Sequence, residues 1–237
     1  MTDLTIEEKS RYSRQIMLDE VGDEGQIKIK QAKVLVVGAG GLGCPILQYL
    51  GAAGVGTIGI IDFDKVEIHN LHRQILYTTD DIGKPKAQTA AQKIKSSNPN
   101  VSCIVFNDLL QESNAENIIS QFDIIVEGPD NFSTRYLVND VCVQLNKPLV
   151  YGSILNFEGQ LAVLNYNGGK NLRDIYPEQP NPEDVPRGNE IGVMGFVPGI
   201  IGVYMASAII QIILGIYDNS NLHLFDFKEF NILKLKI

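Results

Sequence analysis

Basic charge is scarce in this chain. Twenty Lys and Arg stand against 28 Asp and Glu, a net charge of -8 with a pI near 4.9. A surface that grips nucleic acid or an anionic membrane normally needs a basic patch, so neither partner is expected. A locally basic nucleotide cleft stays compatible with this balance. Cysteine is scarcer still. Cys44, Cys103 and Cys142 are the only three, and none forms a CxxC pair, so no zinc site is expected. With no signal peptide ahead of them, a reducing, cytoplasmic setting is expected. Also lacking are an internal repeat, a low-complexity tract and a linker. The 237 residues, 44% hydrophobic, therefore read as a single domain able to bury a substantial core.

Residues 191–217 carry no charge at all. Their length would cross a hydrocarbon layer, but Gly192, Gly195, Pro198, Gly199 and Gly202 interrupt the first half. That leaves a helix of about 15 residues beginning near Pro198 or Gly199. A helix apolar all round belongs in a core or an oligomer interface. No membrane span is expected.

What is present is organised around residues 33–64. An apolar run, 34–37, breaks into Gly38-Ala39-Gly40-Gly41-Leu42-Gly43, continues as a helix to Leu50, and resumes as a second apolar run, 58–61, ending at Asp62. Without side chains at Gly38 and Gly40, a phosphate can approach the amides at the helix N-terminus, while Gly43 lets the helix lie close on the sheet. A lone glycine motif is weak, since glycines also serve tight packing. Here Asp62 falls about 20 residues on, where an acid can hold ribose hydroxyls.

The remaining pattern alternates helix and strand. Residues 1–31 form a charged helical arm containing Arg11 and Arg14. A long polar connection follows Asp62 and carries Asp64, His69, Asn70, His72, Arg73 and Gln74. A helix opens around Lys84-Pro85-Lys86 and ends near Asn98. Strands are expected at 101–106, 123–127 and 148–152, with helices at 114–121 and 133–146. Strand pairs then replace alternation, at 159–166 and in a hairpin of 222–227 with 230–237. Between them, 167–190 reads as a mobile loop, its first 23 residues holding four prolines, three glycines and seven charges. The fold class is thus α/β, a Rossmann-like doubly wound, mostly parallel sheet extended by antiparallel C-terminal strands.

In such a sheet, ligands bind at the carboxyl ends of the strands. That edge would gather the glycine turn, Asp62, residues 70–73, Lys86 and Asp130-Asn131. Cationic groups there suit a triphosphate whose pyrophosphate must be neutralised. A carboxylate suits Mg²⁺, which prefers one or two carboxylates plus phosphate oxygens. Each residue also has a plainer reading: Arg73 in a surface ion pair, Lys86 on a solvated helix face, Asp130 as a helix N-cap. Cys44, at a helix start, is either a thiol activated by the helix dipole or, as favoured here, a small packing residue.

Taken together, Gly38 to Cys44, Asp62-Phe63-Asp64 through Asn70-Leu71-His72-Arg73-Gln74, Gly83-Lys84-Pro85-Lys86, Asp130-Asn131 with Arg135, Gly152 to Gly159-Gln160, and Gly192-Val193-Met194 resemble the MoeB/ThiF family. Its members adenylate the C-terminal glycine of small ubiquitin-like sulfur carriers. The resemblance implies ATP held by Gly41 and by Asp62 at the ribose, with Asn70, Arg73 and Lys86 on the nucleotide and its phosphates and Mg²⁺ on Asp130. The surrounding Gly38, Gly40, Gly43, Asp64, Gln74 and Asn131 are assigned to the same site. It also implies a homodimer in which Arg14 reaches the partner's site and the apolar helix forms the interface. A carrier with a Gly-Gly end, serving molybdopterin, thiamine or another sulfur metabolite, would be the substrate.

Two features depart from that family. Many members carry two CxxC zinc pairs, absent here, and commonly a cysteine where this chain has Gly188. Activation is therefore expected to stop at the adenylate, with no zinc and no thioester or persulfide at that position. Other readings stay open: a short peptide as substrate, a non-catalytic scaffold, or a nicotinamide dehydrogenase, which would explain only the glycine turn and Asp62.

Overall fold

The computed structural model describes residues 3–129, 131–181, 192–218 and 220–237. The arm is helical: α1 (Ile6–Arg11), α2 (Ser13–Ile16) and α3 (Gly22–Gln31). α1 starts on a capping box in which Thr5 Oγ1 accepts from the Glu8 amide at 3.1 Å and Glu8 Oε2 from the Thr5 amide at 2.8 Å. Then come β1 (Lys33–Val37), α4 (Gly43–Ala53), β2 (Thr57–Ile61), α5 (Lys86–Ser97), β3 (Ser102–Phe106), α6 (Ala115–Ile119), β4 (Ile124–Glu127) and α7 (Phe132–Gln144). The chain closes with β5 (Leu149–Leu155), β6 (Glu158–Leu164), α8 (Leu172–Ile175), α9 (Phe196–Leu214), β7 (Asn221–Asp226) and β8 (Asn231–Lys236).

These strands form one sheet in the order β3-β2-β1-β4-β5-β6-β7-β8. β3 through β5 in that order are mutually parallel, while β6, β7 and β8 add antiparallel. β1 and β2 are apolar on both faces because helices cover both. Val34 and Val36 face the core shared with α4, α5 and α9; Leu35 and Val37 face that of α6 and α7. From β1 the chain winds outward to β2 and β3, then restarts at β4 on the other side. The crevice between the carboxyl ends of β1 and β4 is therefore the topological switch point.

Three expectations need correction. α9 has 19 residues and starts at Phe196, two before Pro198, because a proline in the first turn lacks an N–H that has no helical partner anyway. It is long and apolar enough to cross a membrane, yet 56% of its apolar window is buried inside the chain, against α4, β5 and β6. Phe196, Ile200, Val203 and Tyr204 remain exposed on it. β5 runs to Leu155, beyond the expected Gly152, since it pairs with β6 along seven residues. The expected mobile loop is, over 167–181, pinned to α7: Arg173 makes a bidentate pair with Asp140 at 2.7 and 2.8 Å, and the Tyr136 hydroxyl donates to the Tyr176 carbonyl at 2.9 Å. Its residues 182–190, including Gly188, lie outside the described residues.

A tight constraint sits where β1 turns into α4. A Cβ on Gly43 would lie 2.0 Å from the Gly38 carbonyl oxygen, so the third glycine of the motif is required by the turn's own backbone. Gly43→Ala is expected to destabilise the protein by about 1–3 kcal/mol or more, as overpacking does. The urea midpoint reads this, and an unchanged midpoint would contradict the assignment.

Candidate active site

The glycine turn leaves β1 with Gly38 at φ +93, a conformation that favours glycine. Its amide donates to the Ile61 carbonyl of β2 at 2.9 Å. Ala39 is gripped at both ends: its N–H donates to Asp62 Oδ2 at 2.8 Å, and its carbonyl accepts from the Tyr77 hydroxyl at 2.8 Å. The Cβ positions of Gly40 and Gly41 point at other site residues. Gly40 faces Gln74 Nε2 at 3.6 Å, while Gly41 faces Pro198 at 3.1 Å and Arg73 Cδ at 3.6 Å. Thus the turn, the 70–74 segment and the start of α9 form one cradle.

Asp62 joins this cradle to the next. Its Oδ1 accepts from the Asp64 amide at 2.8 Å. Burial raises its pKa above the usual carboxylate value, against the Ala39 amide and the Lys86 charge, which lower it. Asp64 in turn takes Lys86 twice: Nζ approaches Oδ2 at 2.8 Å and the Lys86 amide donates to the Asp64 carbonyl at 2.9 Å. Lys86 is buried at the first position of α5, not on a solvated face as its plainer reading had it. Asn70 is buried in a 3₁₀ turn, where Oδ1 accepts from the Glu67 amide at 3.1 Å and its carbonyl accepts the amides of Arg73 and Gln74. Half-buried Arg73 donates to the His69 carbonyl at 3.2 Å and lies 2.8 Å from His72 Nε2. Burial and the Arg73 charge lower the His72 pKa.

The structure therefore brings Gly38, Gly40, Gly41, Gly43, Asp62, Asp64, Asn70, Arg73, Gln74 and Lys86 to one edge. Asp130 lies outside the described residues. Asn131 is the N-cap of α7, its Oδ1 accepting from the Thr134 amide at 2.9 Å, so the capping role considered for Asp130 belongs to its neighbour. Arg14 does not join its own chain's site. It is exposed on α2, whose Gln15 donates to the Ala53 carbonyl at 2.9 Å, at the end of α4 opposite the glycine turn. Cys44 is a packing residue: fully buried, its Sγ 3.6 Å from the Ala39 carbonyl and its thiol pushed up to about 12 by burial.

A nucleotide fits what is present. Gly40 and Gly41 put no side chain of their own over the backbone, buried Lys86 and half-buried Arg73 supply positive charge, and the buried Gln74 Oε1, in a wall of the cradle, has no hydrogen-bond partner among the described residues.

Sequence reasoning gave no role to three residues nearby. Tyr77 follows the apolar Ile75 and Leu76, and only its distant partner reveals the hydroxyl's use. Glu127 and Arg135 form a buried brace: Arg135 Nη1 donates to Glu127 Oε1 and to the Gly152 carbonyl, both at 2.7 Å, and Nη2 donates to the Pro129 carbonyl at 2.9 Å. Burial pushes Glu127 up to about 7 despite that arginine. An acid ending the apolar strand 124–127 was the available signal.

A Rossmann-like sheet with a glycine turn and cationic side chains at its switch point defines the class. Within it, the chain belongs to the ThiF family, which residues 12–237 match. It is similar to the sulfur carrier protein adenylyltransferase of Thermus thermophilus, 48% identical over 217 residues, covering 90% of this chain and 80% of that protein. It is also similar to adenylyltransferase and sulfurtransferase MOCS3 of Danio rerio, at 49% identity over 90% of this chain and 47% of that one. A probable molybdopterin-synthase adenylyltransferase of Porphyra purpurea is 48% identical, over 90% and 56%. The chain thus spans four fifths of the Thermus protein and about half of the other two. Among solved structures, PaaA superposes with a TM-score of 0.84 at 22% identity, covering 100% of this chain and 76% of that one. E. coli MccB with AMPCPP and MccA superposes at 0.82 and 22%, covering 95% and 71%. At such identity the likeness is one of fold.

Asp81 anchors the approach to Lys86. Its carboxylate pairs with Lys93 at 2.7 Å and Lys84 at 3.1 Å and accepts from the Thr78 amide and hydroxyl, each at 3.0 Å. Burial alone would raise its pKa, but Lys93, Thr78 and Lys84 together hold it well below the usual carboxylate range. A depressed folded pKa contributes stability that is present above the unfolded value, about 3.9, and is lost as pH falls below it. Urea midpoints measured from pH 7 down to pH 2 should therefore fall more steeply in the wild type than in Asp81→Asn; parallel curves would refute the role.

Proposed function

We propose that the protein, an adenylyltransferase by family, uses MgATP to activate the C-terminal glycine carboxylate of a small ubiquitin-like sulfur carrier protein as an acyl-adenylate. The observation that carries this reading is the continuous hydrogen-bonded chain from Ala39 through Asp62 and Asp64 to buried Lys86, which links a phosphate-accepting turn to a cation. The names of the relatives from Thermus and Porphyra support the same reading.

In this reading Asp62 takes the ribose, and the amides of the glycine turn, Arg73 and Lys86 take the phosphates, with Asn70, Gln74 and Asn131 completing the nucleotide's surroundings. Asp130 would hold Mg²⁺, which when bound offsets the charge of the departing pyrophosphate. A carboxylate oxygen of the carrier bonds to the α-phosphorus while the bond from that phosphorus to the bridging oxygen breaks, releasing pyrophosphate. No general base is needed, because the attacking carboxylate is already ionised at pH 7. The chain's work is positioning and charge neutralisation.

For the carrier, the face of β5 to β8 away from α9 offers a cavity of about 250 Å³ lined by Ser153, Leu155, Glu158, Gln160, Leu224 and Leu233. Leu155 and Leu233 are exposed there. For a second copy, the exposed residues of α9 offer an apolar face, and the distance of Arg14 from its own site suits action on the partner's. The burial of Cys44, and a glycine in the sequence at position 188, support a reaction that ends at the adenylate, sulfur coming from a separate protein. Molybdopterin or thiamine biosynthesis in the cytoplasm is the setting that this chemistry and the three free cysteines support.

ATP–pyrophosphate exchange against Gly-Gly-ended carriers tests the function. Asp130→Ala should lower exchange by about 100-fold or more, as loss of a principal charge-stabilising group does; near wild-type exchange would refute the metal assignment. Arg14→Ala and Lys86→Ala should each be inactive, yet mixed together recover about a quarter of wild-type activity, because half the dimers are mixed and each has one intact site of two. No recovery on mixing, with exchange of subunits verified, would refute action between subunits.

A further inference from the structure

We propose that Tyr77 is a positioning residue of the nucleotide site, its hydroxyl fixing the glycine turn against the first residue of α5 so that the turn amides and the Lys86 ammonium act on one polyphosphate. This rests on the function proposed above. Tyr77 is 5% exposed, and its ring packs in the core shared by α4, α5 and the sheet. The hydroxyl lies 2.8 Å from the Ala39 carbonyl and 3.3 Å from the Lys86 carbonyl. One phenol carries one proton, so the shorter contact is the principal bond, and the same atom touches both elements.

That placement matters because of what the two carbonyls belong to. Ala39 stands between the first two glycines of the turn, and its N–H is already held by Asp62 at 2.8 Å. With the carbonyl held as well, the direction of the peptides that follow, Gly40 and Gly41, is set from both ends. Among the described residues the one further hydrogen-bonding contact to that carbonyl is the Cys44 thiol at 3.6 Å, a weak donor. On the far side, Lys86 is tied through its amide and its Nζ to Asp64. Tyr77 thus closes a ring, Ala39 to Asp62 to Asp64 to Lys86 and back through the phenol, around the site. Burial drives its pKa far above the ordinary phenol value, so it remains a donor across the working pH range and is no acid–base catalyst.

Tyr77→Phe keeps the ring and removes the hydroxyl. Binding is measured by calorimetry for ATP and for adenosine, with Lys86→Met and the double variant alongside. The expected result is ATP affinity weakened about threefold to tenfold, the range of one net hydrogen bond, with adenosine affinity within about twofold of wild type. In the Lys86→Met background the same substitution should weaken ATP less than about twofold, since coupled residues are non-additive. Unchanged ATP affinity, equal losses for ATP and adenosine, or the full loss persisting without Lys86 would each overturn the proposal. A wild-type protein that bound no ATP would instead sink the proposed function, and this inference with it.

Discussion

The carboxylate of Asp62 is the interaction on which the site depends. It stands just beyond β2, and its two oxygens reach in opposite directions, one to the Ala39 amide in the turn after β1, the other to the Asp64 amide in its own connection. One side chain thereby fixes two segments that the topology merely makes neighbours. The parallel pairing of β1 with β2 brings them within reach, and the reversal of winding at β1 leaves the crevice open toward β4. A buried acid costs free energy unless its oxygens are satisfied. Here the backbone of the turn supplies that satisfaction, so the stability of the acid and the shape of the phosphate cradle are one fact.

Around this anchor an acidic chain holds two buried cations, each with an anion beside it. Lys86 pairs with Asp64, and Arg135 pairs with Glu127 while also holding the carbonyls of Pro129 and Gly152. The Arg135–Glu127 pair is buried on both sides, and breaking such a pair from one side is costly, so it stays where the fold puts it; Asp64 is half exposed, which leaves Lys86 free to exchange it for a phosphate. The braces therefore define where positive charge is offered, and the overall negative balance of -8 describes the surface, not the cleft.

Much of the fold could be read from residues. The runs 34–37 and 58–61 are apolar throughout because helices cover both faces, and the glycines between them announce the turn. What escaped reading has tertiary causes. The last residues of β5 are strand because β6 lies beside them, and no property of Ser153 or Ile154 states that. Glycines near Pro198 suggested a late start for α9, although a first-turn proline is compatible with an earlier one. Arg173 and Asp140 lie 33 positions apart, so nothing local predicted that residues 167–181 would be pinned. At the site, the motifs indicated which side chains share an edge but not how they are linked. Asp64 entered as a nucleotide contact, yet in the structure it is the partner of Lys86. Tyr77 was invisible because its use depends on a carbonyl 38 residues away.

The central claim is that the crevice above β1 receives a magnesium nucleotide whose phosphates lie between the glycine turn and Lys86. A crystal structure with Mg²⁺ and a non-hydrolysable ATP analogue tests it most directly. The account predicts ribose hydroxyls on Asp62, phosphate oxygens at the Gly40 and Gly41 amides, and Lys86 Nζ turned from Asp64 to a phosphate. A nucleotide bound elsewhere, or one in that crevice whose phosphates point away from the turn with Lys86 still on Asp64, would contradict it.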